Sequence, residues 1–190
     1  MPTLRFDLPT RRATTRLAAA VAKAIAPGDL IVLEGGLGAG KTFLSRALLR
    51  ALGVPSEIGV PSPTFTLMNE YGPETGARVP VIHADLYRLL SGSSSDERPG
   101  TIDDRELSEL GLRARRATGW AVVAEWATGA FSPLGGDGVV VALEIDRADP
   151  GASRSARAAR IMGAGPRGEA LAAAIAQGLA APSVRAPFAR

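Results

Sequence analysis

Eight consecutive residues, Gly35-Gly36-Leu37-Gly38-Ala39-Gly40-Lys41-Thr42, satisfy the pattern G-x-x-x-x-G-K-[ST] without a mismatch. Their surroundings restrict the fold further. Leu30 to Leu33 reads as a buried strand, and Phe43 to Leu52 as a helix with Leu44, Leu48 and Ala51 on one face. Strand, glycine loop, helix is the setting in which such a loop cradles phosphate. Glycines carry no Cβ, so successive backbone N–H groups can turn inward. The helix start adds its unpaired N–H groups and the positive end of its dipole. Lys41 then reaches the β and γ phosphates as a mobile point charge, and Thr42 offers its hydroxyl to Mg²⁺. These residues predict a nucleoside triphosphate site whose contacts are Gly35, Gly36, Leu37, Gly38, Ala39, Gly40, Lys41, Thr42 and Phe43.

The totals narrow the class. The chain has 190 residues, 46% apolar and 22% charged, which is globular composition for one domain with a tail. It has no cysteine, which excludes disulfides, thiolate metal sites and cysteine nucleophiles. The N-terminal residues lack the apolar core of a signal peptide, and no run approaches the ~20 apolar residues that cross a bilayer. The expectation is a soluble cytoplasmic protein with no membrane contact, monomeric on its own. Charge is unevenly spread. Residues 151–190 carry 6 Arg against one Glu, or +5, while residues 1–150 carry 16 Lys+Arg against 18 Asp+Glu, or −2. Contact with RNA or an acidic partner and a solvated, frayed terminus both fit such a tail.

Along the chain, Leu4, Phe6 and Leu8 alternate as a first strand, and Thr10 caps a helix bearing Leu17, Val21, Ala24 and Ile25. Thr14, in the first turns of that helix, is a candidate contact to a base or ribose. In Val60 to Tyr71, Pro61 and Pro63 bracket Ser62 and exclude regular structure from the first half. The second half alternates like a strand, with Phe65 and Leu67 on one side. A stiff loop presenting Ser62 and Thr64 suits a switch segment in which Thr64 senses the γ-phosphate; a proline-stiffened connector fits equally. His83, the only histidine, is expected at a strand end as a hydrogen-bonded structural residue. Asp85, two residues on, points to the same side and suits the metal or its waters. Ser91 to Gly100 reads as a flexible polar loop, and Asp103 to Gly111 as a short helix. Arg113, Arg115 and Arg116 form either a lid over phosphates or a solvated basic face. Trp120 to Trp126 has the form of a Walker B strand, with Glu125 as the acid that holds Mg²⁺ or polarises water. Trp126 itself fits both a core residue and a cover for the site. Gly138 to Ile145 and Arg154 to Met162 are further strands, and Gly168 to Leu179 a last helix.

Four stretches in this order, Gly35 to Thr42, Ser62-Pro63-Thr64-Phe65-Thr66-Leu67, His83-Ala84-Asp85-Leu86-Tyr87-Arg88-Leu89 and Glu125-Trp126, resemble the bacterial TsaE (YjeE) ATPase family, over about Leu8 to Met162. The resemblance implies a three-layer α/β P-loop NTPase fold: a mostly parallel central sheet with antiparallel additions and helices on both faces. It implies an ATPase subunit for making threonylcarbamoyladenosine beside the anticodon of tRNA. Its partners would be the transferase subunit and that subunit's inactive-looking paralogue, and its cofactors ATP and Mg²⁺. By that similarity Lys41 and the loop amides bind phosphates, Thr42 and Glu125 hold Mg²⁺, and Asp85 supports the metal or the water. Thr64 faces the γ-phosphate, and Thr14 sits where members place a nucleotide-side contact. Residues 1–163 would form the ATPase domain and residues 164–190 a C-terminal helix and basic tail.

The chain departs from the family pattern at several points. Gly36 replaces a common Asp, Phe43 replaces a frequent hydroxyl residue, Ser91 to Ile102 looks longer than usual, and the tail beyond Gly163 has no clear counterpart. Three other classes compete. A small-molecule kinase needs an arginine-bearing lid, for which only Arg113, Arg115 and Arg116 are clustered. A GTPase reads guanine through N-K-x-D, yet the only Asn, Asn69, precedes Glu70. A nucleotide-gated binding module needs no turnover at all.

Overall fold

The computed structural model describes residues 3–91, 101–145 and 156–180. The chain runs β1 (Thr3–Leu8), α1 (Arg11–Ala24), β2 (Leu30–Glu34), α2 (Lys41–Ala51), β3 (Met68–Tyr71), β4 (Val81–Asp85), β5 (Leu90–Ser91) and β6 (Thr101–Ile102). It continues through α3 (Asp104–Glu109), α4 (Leu112–Ala117), β7 (Ala121–Glu125), β8 (Gly138–Ile145), β9 (Arg157–Ala164) and α5 (Gly165–Ala180). Caps set the boundaries. Thr10 accepts from the Ala13 N–H at 3.2 Å to start α1, and Asp103 accepts from Arg105 and Glu106 to start α3.

One seven-stranded sheet has the order β1-β9-β8-β2-β7-β4-β3, while β5 and β6 pair separately. β8, β2, β7 and β4 are mutually parallel; β3, β9 and β1 attach antiparallel. The fold is therefore mixed α/β with a parallel centre, as the sequence predicts. Central parallel strands are covered on both faces, which is why Leu30 to Leu33 and Ala121 to Ala124 are apolar without interruption.

Alternation sorts those residues into two layers of core. Ile31 and Leu33 pack with Leu17, Leu48 and Ile175 against α1, α2 and α5. Leu30 and Val32 pack with Leu107, Leu112 and Leu134 on the α3–α4 side. The same period of two sends His83 and Asp85 to the α2 side with Val81, and Glu125 with Val123. α5 belongs to the α1 layer through Leu171, Ala172 and Ile175. Its first turn is capped from outside: Asp137 Oδ1 accepts from the Arg167 and Gly168 N–H groups at 3.0 and 2.9 Å.

Three expectations are corrected. The strand expected from Phe65 begins only at Met68; residues 63–66 form a turn followed by a bend, Phe65 is 84% exposed and Leu67 has φ 64°. The prolines deny the segment a ladder, and its hydroxyls bond to Asp85 instead. His83 is mid-strand, because β4 runs on to Asp85. The arginine cluster divides: Arg113 is exposed, as a solvated basic face requires, whereas Arg115 and Arg116 are committed elsewhere. Arg116 donates to the Gly28, Leu134 and Asp137 carbonyls, so it braces the turn into β2, at the strand end remote from the glycine loop. Arg115 pairs with Glu70 at 2.8 Å and lies over Trp120. The Ser91 to Gly100 loop, after Ser91, and the last ten residues of the tail lie outside the described residues.

Where α5 meets β8 there is no room for a side chain: a Cβ on Gly168 would stand 1.9 Å from the Gly138 carbonyl oxygen. Gly168→Ala is expected to lower the unfolding free energy by about 2 kcal/mol through forced separation of helix and strand, read from the urea midpoint at unchanged slope.

Candidate functional site

The glycine loop leaves β2 at Gly35, where φ is 135° and a Cβ would lie 2.4 Å from the Leu143 carbonyl oxygen, so only glycine fits. At Gly36, Gly38 and Gly40 an added Cβ would meet no protein atom within 4 Å, so open space borders the loop at all three. The first intrahelical bond of α2 is Leu44 N–H to Gly40 O at 2.9 Å. The N–H groups of Lys41, Thr42 and Phe43 precede it, free for an anion. Leu37, at the loop tip, is 71% exposed, whereas Ala39 is buried. From β9, Arg157 grips the loop's outer side, donating to the Ala39 and Gly38 carbonyls at 3.1 and 2.9 Å.

Lys41 is buried, and its Nζ donates to the Gly35 and Gly36 carbonyls. The same Nζ stands 3.4 Å from the centre of the Trp126 ring. Trp126 adopts φ 58°, rare for a large residue, and its ring lies 5.0 Å from that of Tyr87. It is thus a cover for Lys41 rather than core. Burial pushes the Lys41 ammonium down to about 8, while Glu125 and then Asp85 oppose that shift.

Two carboxylates end adjacent strands, Asp85 on β4 directly opposite Glu125 on β7. Glu125 is wholly buried and accepts from three donors. Its Oε2 accepts from Thr42 Oγ1 at 2.8 Å, and its Oε1 from Ser45 Oγ at 2.9 Å and His83 Nε2 at 2.7 Å. Asp85 Oδ2 accepts from Thr64 Oγ1 at 2.6 Å and Ser62 Oγ at 3.1 Å, and its Oδ1 from the Tyr87 N–H at 3.1 Å. The Asp85 N–H donates to the Leu67 carbonyl, which ties the end of the Ser62–Leu67 segment to β4.

The structure therefore brings Lys41, Thr42, Thr64, Asp85 and Glu125 into one place. Thr14 is buried on α1, one turn beyond Arg11, whose guanidinium lies 5.8 Å over the Phe43 ring. The contact places Arg11 beside the start of α2 and brings Thr14 to none of the other site residues. Three residues escape sequence reasoning as site members. Ser45 had a signal, a hydroxyl beside Leu44 on the buried face of α2, three residues after Thr42. His83 was legible as structural, but not as a partner of Glu125. Arg157 had no local signal, because only the pairing of β9 with β8 carries it to the loop.

Among the described residues no group of three or more His, Asp or Glu holds a metal by itself. Mg²⁺ is usually bound by one or two carboxylates together with substrate phosphate oxygens. Thr42, Glu125 and Asp85 fit that requirement as an all-oxygen set beside an open phosphate cradle.

The depressed Lys41 has a consequence for stability. Between about 8 and the ordinary 10.5 the unfolded chain holds a proton that the folded chain has released. Stability therefore rises with pH across that window, and the full burial cost stands below it. Lys41→Met removes the effect. Its unfolding free energy relative to wild type is expected to be most favourable below about pH 8 and to lose that margin as pH rises towards 10.5, measured by urea denaturation at each pH.

Comparison with known proteins gives a consistent result. Residues 8–155 match the family model described as "Threonylcarbamoyl adenosine biosynthesis protein TsaE". A Streptomyces coelicolor protein named tRNA threonylcarbamoyladenosine biosynthesis protein TsaE is 35% identical over 147 residues, 77% of this chain and 88% of that one. Its namesake from Mycobacterium tuberculosis is 32% identical over 137 residues, 72% of this chain and 76% of that one. The Synechocystis protein of that name is 44% identical over 86 residues, 45% of this chain and 52% of its own length, so that match spans about half of the relative. The crystal structure of Bacillus subtilis YdiB superposes with a TM-score of 0.68 at 23% identity, over 93% of this chain and 95% of that one, a likeness of fold. With the family model covering most of its length, the chain belongs to the TsaE family.

Proposed function

We propose that this chain is a Mg²⁺-dependent P-loop ATPase subunit serving tRNA N6-threonylcarbamoyladenosine formation, slow alone and altered by its partners. The observation that carries the reading is the meeting of Thr42 with Glu125 and of Thr64 with Asp85 beside Lys41. Family membership supports the tRNA modification, which the relatives' names state. The partners would be the transferase subunit and its paralogue, in the cytoplasm. Among the described residues no helix is long and apolar enough to cross a membrane.

In this reading the N–H groups at the start of α2, Lys41, Thr42 and Phe43, together with the glycine-loop N–H groups not bonded within the loop, hold the phosphate oxygens of ATP. Lys41 gives up the Gly35 and Gly36 carbonyls for the β and γ oxygens and leaves the face of Trp126. Thr42 and Asp85 would hold Mg²⁺, whose charge would offset that of the β and γ phosphate oxygens, while Glu125 serves the attacking water. Thr64 exchanges Asp85 for the γ-phosphate side, which makes residues 61–67 a sensor of the nucleotide. Glu125 Oε2, released by Thr42, accepts the hydrogen of the attacking water as the water oxygen bonds to Pγ and ADP leaves. A metabolite kinase is less well supported, since Arg115 and Arg116 are committed to Glu70 and to backbone carbonyls away from the loop.

Glu125→Ala is expected to keep ATP affinity, measured with a fluorescent analogue, and to lose turnover by about 100-fold or more. Equal loss of both would make Glu125 a structural or essential metal-binding residue. Pull-down from lysate should capture the partner pair in an ATP·Mg²⁺-dependent manner. Stoichiometric phosphorylation of a small metabolite would replace the ATPase reading with a kinase.

A further inference from the structure

Glu125 uses its two oxygens differently. Oε1 is held by two donors from separate elements, Ser45 Oγ on α2 and His83 Nε2 on β4. Oε2 accepts from Thr42 Oγ1, the hydroxyl that a bound metal would draw away. A glutamate carboxylate turns easily about its last torsion, which is broad and two-fold. Without the pair on Oε1, its oxygens could exchange places and the working atom would be undefined.

The imidazole is an expensive way to fill its position. His83 is fully buried on a strand whose neighbours Ile82 and Ala84 are also fully buried. Its other nitrogen, Nδ1, is buried without a hydrogen-bond partner. An apolar side chain in the same space would avoid that orphan, but it would strip a donor from the buried Glu125 carboxylate. What an apolar residue could not supply is the Nε2–H aimed at Oε1. A hydrogen on Nδ1 instead would set the Nε2 lone pair against a carboxylate oxygen at 2.7 Å. The contact therefore selects the Nε2–H tautomer.

We propose that His83, assisted by Ser45, is a positioning residue that pins Glu125 Oε1 and leaves Oε2 as the single oxygen presented to the reacting γ-phosphate. This rests on the reading of Glu125 as the carboxylate of an ATPase. It adds a role for the lone histidine that acts wholly through another side chain.

Two measurements test it. The first needs no turnover: His83 is the only histidine, so ¹⁵N NMR of the full chain reports one imidazole. The Nε2–H tautomer is expected in the wild type, and an Nδ1–H tautomer overturns the proposal. The second compares His83→Leu, which has no donor, with His83→Gln, whose amide N–H reaches a similar place, and with Ser45→Ala. His83→Leu should lose about 10- to 100-fold in kcat, in the range seen when an outer-shell partner of a site is removed. KM and the affinity for a fluorescent ATP analogue should stay near wild type. His83→Gln should recover most of kcat, Ser45→Ala should lose less than His83→Leu, and the double variant His83→Leu/Ser45→Ala should approach Glu125→Ala. Wild-type kcat in His83→Leu sinks the proposal. So does parallel loss of binding and turnover that Gln does not rescue, which marks a core residue only. If His83→Leu does not fold, His83→Gln and Ser45→Ala carry the same comparison. Glu125→Ala, run alongside, separates the two claims: full activity there overturns the ATPase role of Glu125 itself, whereas loss there with none in His83→Leu overturns only the positioning.

Discussion

A carboxylate with no exposure to solvent ties the centre of this molecule together. Glu125 stands at the end of β7, receives Thr42 and Ser45 from α2, and receives His83 from β4. An unpaired carboxylate so placed would be very costly, so each donor is a condition of its burial. The consequence runs in both directions. The site requires β4, β7 and α2 to be in register, and their packing requires the site's polar groups to be satisfied by one another.

The elements outside the parallel centre serve the loop as much as the core. β9, attached antiparallel to β8, carries Arg157 to the carbonyls of Gly38 and Ala39. The grip uses carbonyl groups only and so takes up none of the loop's N–H groups. α5 closes on β8 with two glycines in contact, and Asp137 caps it from the turn before that strand. The C-terminal helix is therefore part of the layer that backs α1 and α2.

On the other flank, residues 61–67 hang between two chemistries. Their prolines keep them off the sheet, and Ser62, Thr64 and the Leu67 carbonyl fasten them to Asp85. Phe65 between those anchors is exposed, with Arg88 set 5.7 Å over its ring. In the proposed reading these hydroxyl bonds to one carboxylate are what a bound metal would compete for.

The motif from Gly35 to Thr42, the strand ending in Glu125, and the capped helices were legible because each is written in adjacent residues: periodicity, glycine, caps; the strand before Asp85 was legible too, but with its end placed at His83. Even the family could be read from four short stretches. The alternation of Phe65 and Leu67 misled, because period two marks a strand only where a partner strand exists, and β3 pairs with β4 only from Met68. Which residues meet was decided by tertiary structure alone. Ser45 and His83 lie 38 residues apart in number yet share one oxygen of Glu125, and Arg157 reaches a loop more than 100 positions earlier. Local sequence sets what a segment prefers to be. The pairing of β4 with β7 and of β9 with β8 sets which side chains are neighbours, and hydrogen bonds with a reach of about 3 Å answer only to that.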